Sequence, residues 1–452
     1  MNRIFSFDFF KWFYPGMHIK RWLGLIVIGV AIMTFGLSYV VREAYLTGFE
    51  LPDFMYYVTG QFIHRYIRGA VFMIGAVGLI LFSVWKLNQS ILSVIAPNRD
   101  TTESLVNTIY TQRFLRRGPK IVAIGGGTGL STLLRGLKEH TGNLTAVVTV
   151  ADDGGSSGVL RRELGVLPPG DVRNCITALA DAEPLVTKLF QYRFSDGSGL
   201  AGHSFGNLFI VAMSGVTGNF EDAIRQTSRV LAVRGQIIPS TLSDVTLCAS
   251  TEDARTIHGE SRIGARLQGA SGQRPRIREV YLVPGNPPAH PEAVRAILEA
   301  DLIVLGPGSL YTSVLPNLLV QGIRRSVLAS PAPKLYVCNV ATQQGETDNF
   351  TVGDHVSVLE DHVGKGFINH ILANDNLAYP IPKAAESEPV QVDLTNNNGI
   401  RLITADVVSE ENRYHHDPEK LAQAVLRIYY ERDQTTVQAP ELEAELVVAG
   451  ER

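Results

Sequence analysis

Cysteine is scarce in this chain: three in 452 residues, Cys175, Cys248 and Cys338, none in C-x-x-C spacing. That count excludes a disulfide framework and a cysteine-built zinc site, and it fits a reducing compartment. No H-E-x-x-H and no Cys/His ligand cluster occurs. Charge is thin and balanced, with Lys+Arg 41 against Asp+Glu 44 and 19% charged residues. Such a balance excludes the basic stripe of a nucleic-acid-binding protein. Gly 42 and Pro 22 are too few for a collagen-like or low-complexity chain. What the chain does have is 45% hydrophobic residues, enough for a sizeable core in two or three domains or one large domain with appendages.

The hydrophobic residues are unevenly spread. Leu23 to Val41 carries no charge over a length close to the ~20 residues that span a bilayer. Ile67 to Leu87 gives a second run, with Arg68 and Lys86 at its ends. A signal peptide fits poorly, because the first run is too long and a second follows without a cleavage pattern. Arg3, Lys11, Lys20 and Arg21 precede the first run, and Lys86, Arg99, Arg113, Arg116, Arg117 and Lys120 follow the second. This bias places both termini in the cytoplasm. No carboxylate or histidine interrupts the runs, so residues 1–87 read as a two-pass membrane anchor rather than a transport path. Residues 88–119 read as a linker and 433–452 as a disordered acidic tail.

Residues 120–432 alternate short apolar runs with helical segments, the pattern of an α/β, Rossmann-like, mostly parallel sheet. Strands are expected at Ile121 to Ile124, Leu144 to Val150, Val245 to Ala249, Val280 to Val283, Leu302 to Leu305, Leu335 to Val340 and Ile368 to Ala373. Helices are expected at Leu130 to His140 and Pro418 to Tyr430.

Chemistry is expected where glycines follow strands. Gly125, Gly126, Gly127, Thr128 and Gly129 sit between a strand and a helix, where backbone N–H groups can meet a phosphate. The loop is neither a dinucleotide fingerprint, since Leu130 replaces the third glycine, nor a P-loop, since no Lys-Ser/Thr pair follows. Asp152, Asp153, Gly154, Ser156 and Ser157 follow the second strand, where a carboxylate can hold a ribose and small residues can wrap a phosphate. The adjacent carboxylates, with Asp171, are also a candidate Mg²⁺ site. Gly154 to Gly158 spells G-x-S-x-G, but two carboxylates beside Ser156 oppose an oxyanion, and the match is read as chance. Asp171, Arg173 and Asn174 precede a helix that Asp171 could simply cap. His203 and Asn207 open another helix. Gly306, Gly308, Ser309, Leu310 and Tyr311 repeat the strand–glycine–helix logic, and the two loops would bracket one extended ligand at a switch point. Asn339 and Thr342 offer amide and hydroxyl groups to a sugar.

Together the stretches IVAIGGGTGLSTLLRGL, VTVADDGGSSGVLRRELGVLPPGDVRNCITALAD, GHSFGNLFI, LGPGSLYTSVLPNLLV and CNVATQQGETDNF resemble the YvcK-like gluconeogenesis factor family. That family shares a superfamily with 2-phospho-L-lactate transferase. The resemblance runs from about Lys120 to Glu431. It implies a Rossmann-like domain that binds UDP-N-acetylglucosamine and regulates growth on gluconeogenic carbon, cell shape and peptidoglycan precursor supply. It implies ligand contacts from Gly125–Gly129, Asp152, Asp153, Asp171, Asn174, Asn207 and Gly306–Tyr311. Two departures stand out. His415 precedes His416-Asp417 where members usually carry arginine, and Pro380 to Val392 is short and lacks an evident tyrosine. The expected partners are a nucleotide-sugar, the membrane and a protein of precursor synthesis; homo-oligomerisation stays open. The alternative expectation is a Mg²⁺-dependent transferase moving a nucleotide-linked phosphoryl group.

Overall fold

The computed structural model describes residues 115–431, apart from 182–183, 198, 264–275, 379–386 and 394–398, together with isolated positions between 28 and 82. The chain divides into two compact units, Met1–Arg113 and Phe114–Arg452. In the first unit, described positions of both apolar runs, among them Ile28, Met33 and Leu37 and then Val71, Ile74 and Val77, are helical and exposed. Among the described residues no helix is long and apolar enough to cross a membrane. Most of the expected hairpin, nearly all of the expected linker and the expected tail lie outside the described residues.

The second unit is built on a seven-stranded, fully parallel sheet in the order β10-β9-β8-β7-β1-β2-β3. Its strands are β1 (Ile121–Gly125), β2 (Leu144–Val148), β3 (Gln236–Pro239), β7 (Leu302–Leu305), β8 (Lys334–Val337), β9 (His370–Asn374) and β10 (Arg401–Ala405). Between β3 and β7 the chain builds a separate antiparallel sheet from β4 (Thr246–Thr251), β5 (Thr256–His258) and β6 (Ile277–Val283). The helices used below are α1 (Gly127–Leu137), α2 (Gly155–Leu164), α3 (Gly170–Leu179), α4 (Pro184–Gln191), α5 (Phe205–Thr217), α6 (Phe220–Val230), α7 (Pro291–Leu298), α8 (Gln321–Ala329), α9 (Val352–Val363) and α10 (418–431).

Strand β1 explains why the inner strands read as unbroken apolar runs. All five of its residues are buried, and they alternate between two cores. Ile121 and Ala123 join the layer packed by α1, α3 and α10, whereas Val122 and Ile124 join the layer of α7, α8 and α9. Burial on both faces is the normal state of a parallel strand, and it removes the period-2 signal.

Two expectations need correction. The apolar runs at 245–249 and 280–283 do form strands, but in the antiparallel sheet. The half-exposed pattern of β6 marks a sheet with one face open to water. Strands β3 and β10 escape the sequence reading because they are edge strands, short and partly polar; Pro239 ends β3, a residue tolerated only at a sheet edge.

The strand order carries the functional consequence. From β1 the chain steps outward to β2 and β3, then returns to the other side of β1 as β7 and steps away through β8 to β10. The reversal lies between β1 and β7, so their C-terminal loops diverge and leave a crevice at the switch point.

Candidate functional site

The loop after β1 enters α1 without a side-chain cap: Gly126 is the N-cap and no hydroxyl or carboxylate of its own accepts a first-turn N–H. Gly127 has φ +64°, a conformation that side chains resist. Gly129 has a different reason to be glycine. A Cβ there would stand 2.6 Å from the Pro307 carbonyl oxygen and 2.9 Å from the Gly308 nitrogen, so the loops after β1 and β7 touch through it.

The second loop is held by amide side chains. Asn339 Oδ1 accepts from the Gly308 N–H at 3.2 Å, and Asn339 Nδ2 donates to the Gly308 carbonyl at 3.0 Å and to Gln343 Oε1 at 3.0 Å. Gln343 Nε2 in turn donates to Ser309 Oγ at 2.7 Å. Behind this loop the chain forms one π-helical turn, Leu310–Val314.

These elements wall a cleft of about 320 Å³. Of the expected residues, Gly126, Gly127, Thr128, Gly129, Gly308, Ser309, Asn339 and Thr342 line it. Thr312, Ser313 and Gln343, from the stretches LGPGSLYTSVLPNLLV and CNVATQQGETDNF, line it too, whereas sequence reasoning missed Thr132, Glu260, Ser387, Tyr414 and His416, which also line it. His415 was singled out only as a departure from a family pattern, and it also faces the cleft. Its ring meets that of Tyr414 edge-on, with centroids 4.7 Å apart. Burial lowers the pKa of His415, and pushes that of His416 down to about 4, while His416 Nε2 lies 3.2 Å from the Cys338 carbonyl oxygen. Both rings are therefore neutral near pH 7, so neither supplies a fixed positive charge.

The remaining expected residues form a second layer beside the cleft. Asp171 does not cap its own helix, whose N-cap is Pro169; its carboxylate instead accepts the Gly127 N–H and would meet any side chain placed at Gly126. Burial, then the neighbouring Asp152, push the Asp171 pKa up to about 7. Burial also raises Asp152, although the Gly154 N–H donates to its Oδ1 at 2.8 Å. Glu260, at the cleft wall, is also raised, by burial and then by Asp171 and Asp152, and its Oε2 is buried without a hydrogen-bond partner. One carboxyl on the cleft wall thus feels those beneath it.

Polar residues continue this layer. Ser156 Oγ lies 2.9 Å from His203 Nδ1 and accepts from Asn207 Nδ2 at 3.1 Å. The three are buried, and Ser156 sits in the first turn of α2 while Ser204 caps α5. This bond ties two helices together; none of the three lines the cleft. Arg173 donates to Asn174 Oδ1 at 2.8 Å, and Arg173 Nε and Asn207 Oδ1 are buried without partners.

Other expectations are corrected. Leu310 and Tyr311 are buried in the apolar core, with the Tyr311 hydroxyl directed to the Ile277 carbonyl oxygen at 3.4 Å. Thr312 and Ser313, the next two residues of the same turn, line the cleft instead. Asp153 is spent on structure: its Oδ1 accepts from the Ser261 N–H at 2.8 Å, at the start of the short helix Glu260–Ile263. Asp152, Asp153 and Asp171 therefore do not assemble a Mg²⁺ cage, and among the described residues no group of three or more His, Cys, Asp or Glu does so. Gly125, Gly154, Ser157 and Gly306 support the loops without lining the cleft.

Comparison with known proteins identifies relatives of this chain. The family model described as 2-phospho-L-lactate transferase CofD matches residues 121–408. The gluconeogenesis factor of Bacillus subtilis is 48% identical over 320 residues, covering 69% of this chain and 99% of its own. A Nostoc sp. protein provisionally named a gluconeogenesis factor is 47% identical over 432 residues, 93% of each chain, so that relative shares much of the N-terminal unit as well. A crystal structure of a UPF0052 family protein from Bacillus halodurans matches with a TM-score of 0.63 and 43% identity, over 69% of this chain and 99% of that one. The chain belongs to the CofD-like family that includes the bacterial gluconeogenesis factors.

Proposed function

We propose that the protein is a membrane-anchored, cytoplasm-facing receptor for UDP-N-acetylglucosamine that regulates the flow of carbon into peptidoglycan precursors, and with it cell shape and gluconeogenic growth. The observation that carries this reading is the contact of the β1 and β7 loops at Gly129. The two glycine-bearing loops wall one cleft from either side of the switch point, which suits an extended anionic ligand such as a diphosphate. Around them lie neutral hydroxyl and amide groups, Thr128, Ser309, Asn339, Thr342 and Gln343, which match the hydroxyls of a sugar. Tyr414 and His415 offer ring faces to a base. The helical, exposed apolar positions of the N-terminal unit support the anchor.

Titration calorimetry of the full chain in detergent with UDP-N-acetylglucosamine, followed by chromatography of the recovered ligand, tests this. Micromolar binding with intact ligand is expected; the absence of binding heat refutes the reading. Removal of residues 1–87 is expected to release the protein from membranes and leave the affinity unchanged.

A second reading, a transferase acting on a nucleotide-linked phosphoryl group, draws on Asp171. A carboxyl held at about 7 beside an anion-binding cleft is suited to passing a proton at neutral pH. Consumption of the nucleotide-sugar in the same experiment would favour it.

A further inference from the structure

The helix α5 has the wrong composition for the surface it occupies. Its thirteen residues, FGNLFIVAMSGVT, include no charge, yet only Gly206, Asn207 and Ile210 are buried. Its inner side is anchored to α4 by a ring cluster: Phe190 meets Phe205 at 6.0 Å and Phe209 at 5.1 Å between centroids. Its outer side, with that of α4 and the loop between them, faces solvent. Val216 is 82% exposed and Leu185 74%, with Leu189, Tyr192 and Leu200 also exposed. These five side chains leave on the order of 600 Å² of mostly apolar surface in water, the upper end of what a soluble monomer tolerates and most of the ~800 Å² per partner in a stable complex.

We infer that the face formed by α4 and α5 is the contact between two copies of this chain, related by a two-fold axis. Charge decides between occupants. Across a two-fold axis a surface meets itself, so a charge near the axis faces its own like; α5 carries none, α4 carries Lys188, and the loop between them adds Arg193 and Asp196, a pair of opposite sign that can complement itself across the axis. A lipid surface would call for a cluster of Lys and Arg around the apolar patch, and Lys188 and Arg193, with Asp196 offsetting one of them, do not provide it. Ala212 and Gly215 are exposed on α5, and a Cβ added at Gly215 meets nothing within 4 Å, so two such helices can approach closely there. The same helix carries Asn207 in its first turn, bonded to Ser156 beside the cleft, which puts the contact and the polar layer on one rigid element.

The test uses the full chain in detergent. Light scattering, corrected for bound detergent, is expected to give twice the chain mass at micromolar concentration. The three native cysteines are buried, so Gly215→Cys introduces the accessible thiol, and mild oxidation is expected to yield a disulfide-linked pair on a non-reducing gel. Leu185→Glu combined with Val216→Glu is expected to raise the dimer dissociation constant at least 100-fold while circular dichroism stays unchanged. Should that variant unfold instead, the oxidised Gly215→Cys pair still decides. A single-chain mass for the unaltered protein at every concentration overturns the proposal, whether or not vesicles bind it. So does a doubled mass that the glutamate pair leaves intact.

Discussion

The cleft and the layer beside it use polar groups in opposite ways. In the cleft, Asn339, Gln343 and Ser309 satisfy one another and the Gly308 backbone, so the loop is fixed before any ligand arrives. Beside it, Arg173 Nε and Asn207 Oδ1 are buried without partners, as is Glu260 Oε2 on the cleft wall that adjoins this layer, and Asp171 and Asp152 resist ionisation. Groups that cost free energy when left alone are retained only where something offsets the cost. The comparison teaches that the first region is preorganised, while the second holds its polar groups at a cost in free energy.

The sharpest way to break that contrast is Gly129→Val. It wedges a side chain into the contact between the two loops, and calorimetry is expected to record a loss of nucleotide-sugar affinity of at least ~100-fold, about 3 kcal/mol. Next comes Asp171→Asn, which keeps an acceptor for the Gly127 N–H but removes the suppressed charge. The Asp171 carboxyl binds its proton more tightly when folded than the ordinary value of 3.8, so the native protein loses stability as pH rises from about 4 to about 7. The variant is expected to unfold at higher temperature than the native protein at pH 8, by on the order of 2–4 kcal/mol in stability, with the gain vanishing near pH 4. An unchanged difference across that range would mean that Asp171 is not strained.

His415→Arg sharpens the contrast from the cleft side. Burial disfavours the His415 charge, so an anionic ligand has to restore a proton and native affinity is expected to rise from pH 8 to pH 6. Arginine carries the charge at every pH. Binding at pH 8 is expected to tighten about tenfold and its pH dependence to flatten. The smallest effect belongs to Tyr414→Ala, where loss of one ring face is expected to weaken a nucleotide by ~1 kcal/mol, a few-fold in the dissociation constant.

Much of the fold was legible because glycine between an apolar strand and a helix is an unambiguous local signal. Gly125–Gly129 and Gly306–Ser309 were located that way, and so was their meeting at a switch point. Residues that reach the cleft from a distance gave no such signal. Glu260 stands on a four-residue helix after the antiparallel strand β5, and Tyr414 on the loop that precedes α10. Leu310 and Tyr311 are apolar or aromatic residues next to a glycine loop, and adjacency alone did not tell that they face the core while Thr312 and Ser313 line the cleft. Asp153 looked like a ligand because its neighbour Asp152 did, and only the backbone of Ser261 reveals its employment.

The two loops that touch at Gly129 come from strands that pair Ile121 with Leu302. No fragment that stops short of β7 can own both halves of the cleft, however well its earlier helices form. A chain emerging from the ribosome is therefore blind to its ligand until nearly three-quarters of it has been made, and loop closure over so great a separation is slow. Tyr414, His415 and His416 line the cleft as well, so its last wall arrives later still, close to the end of synthesis.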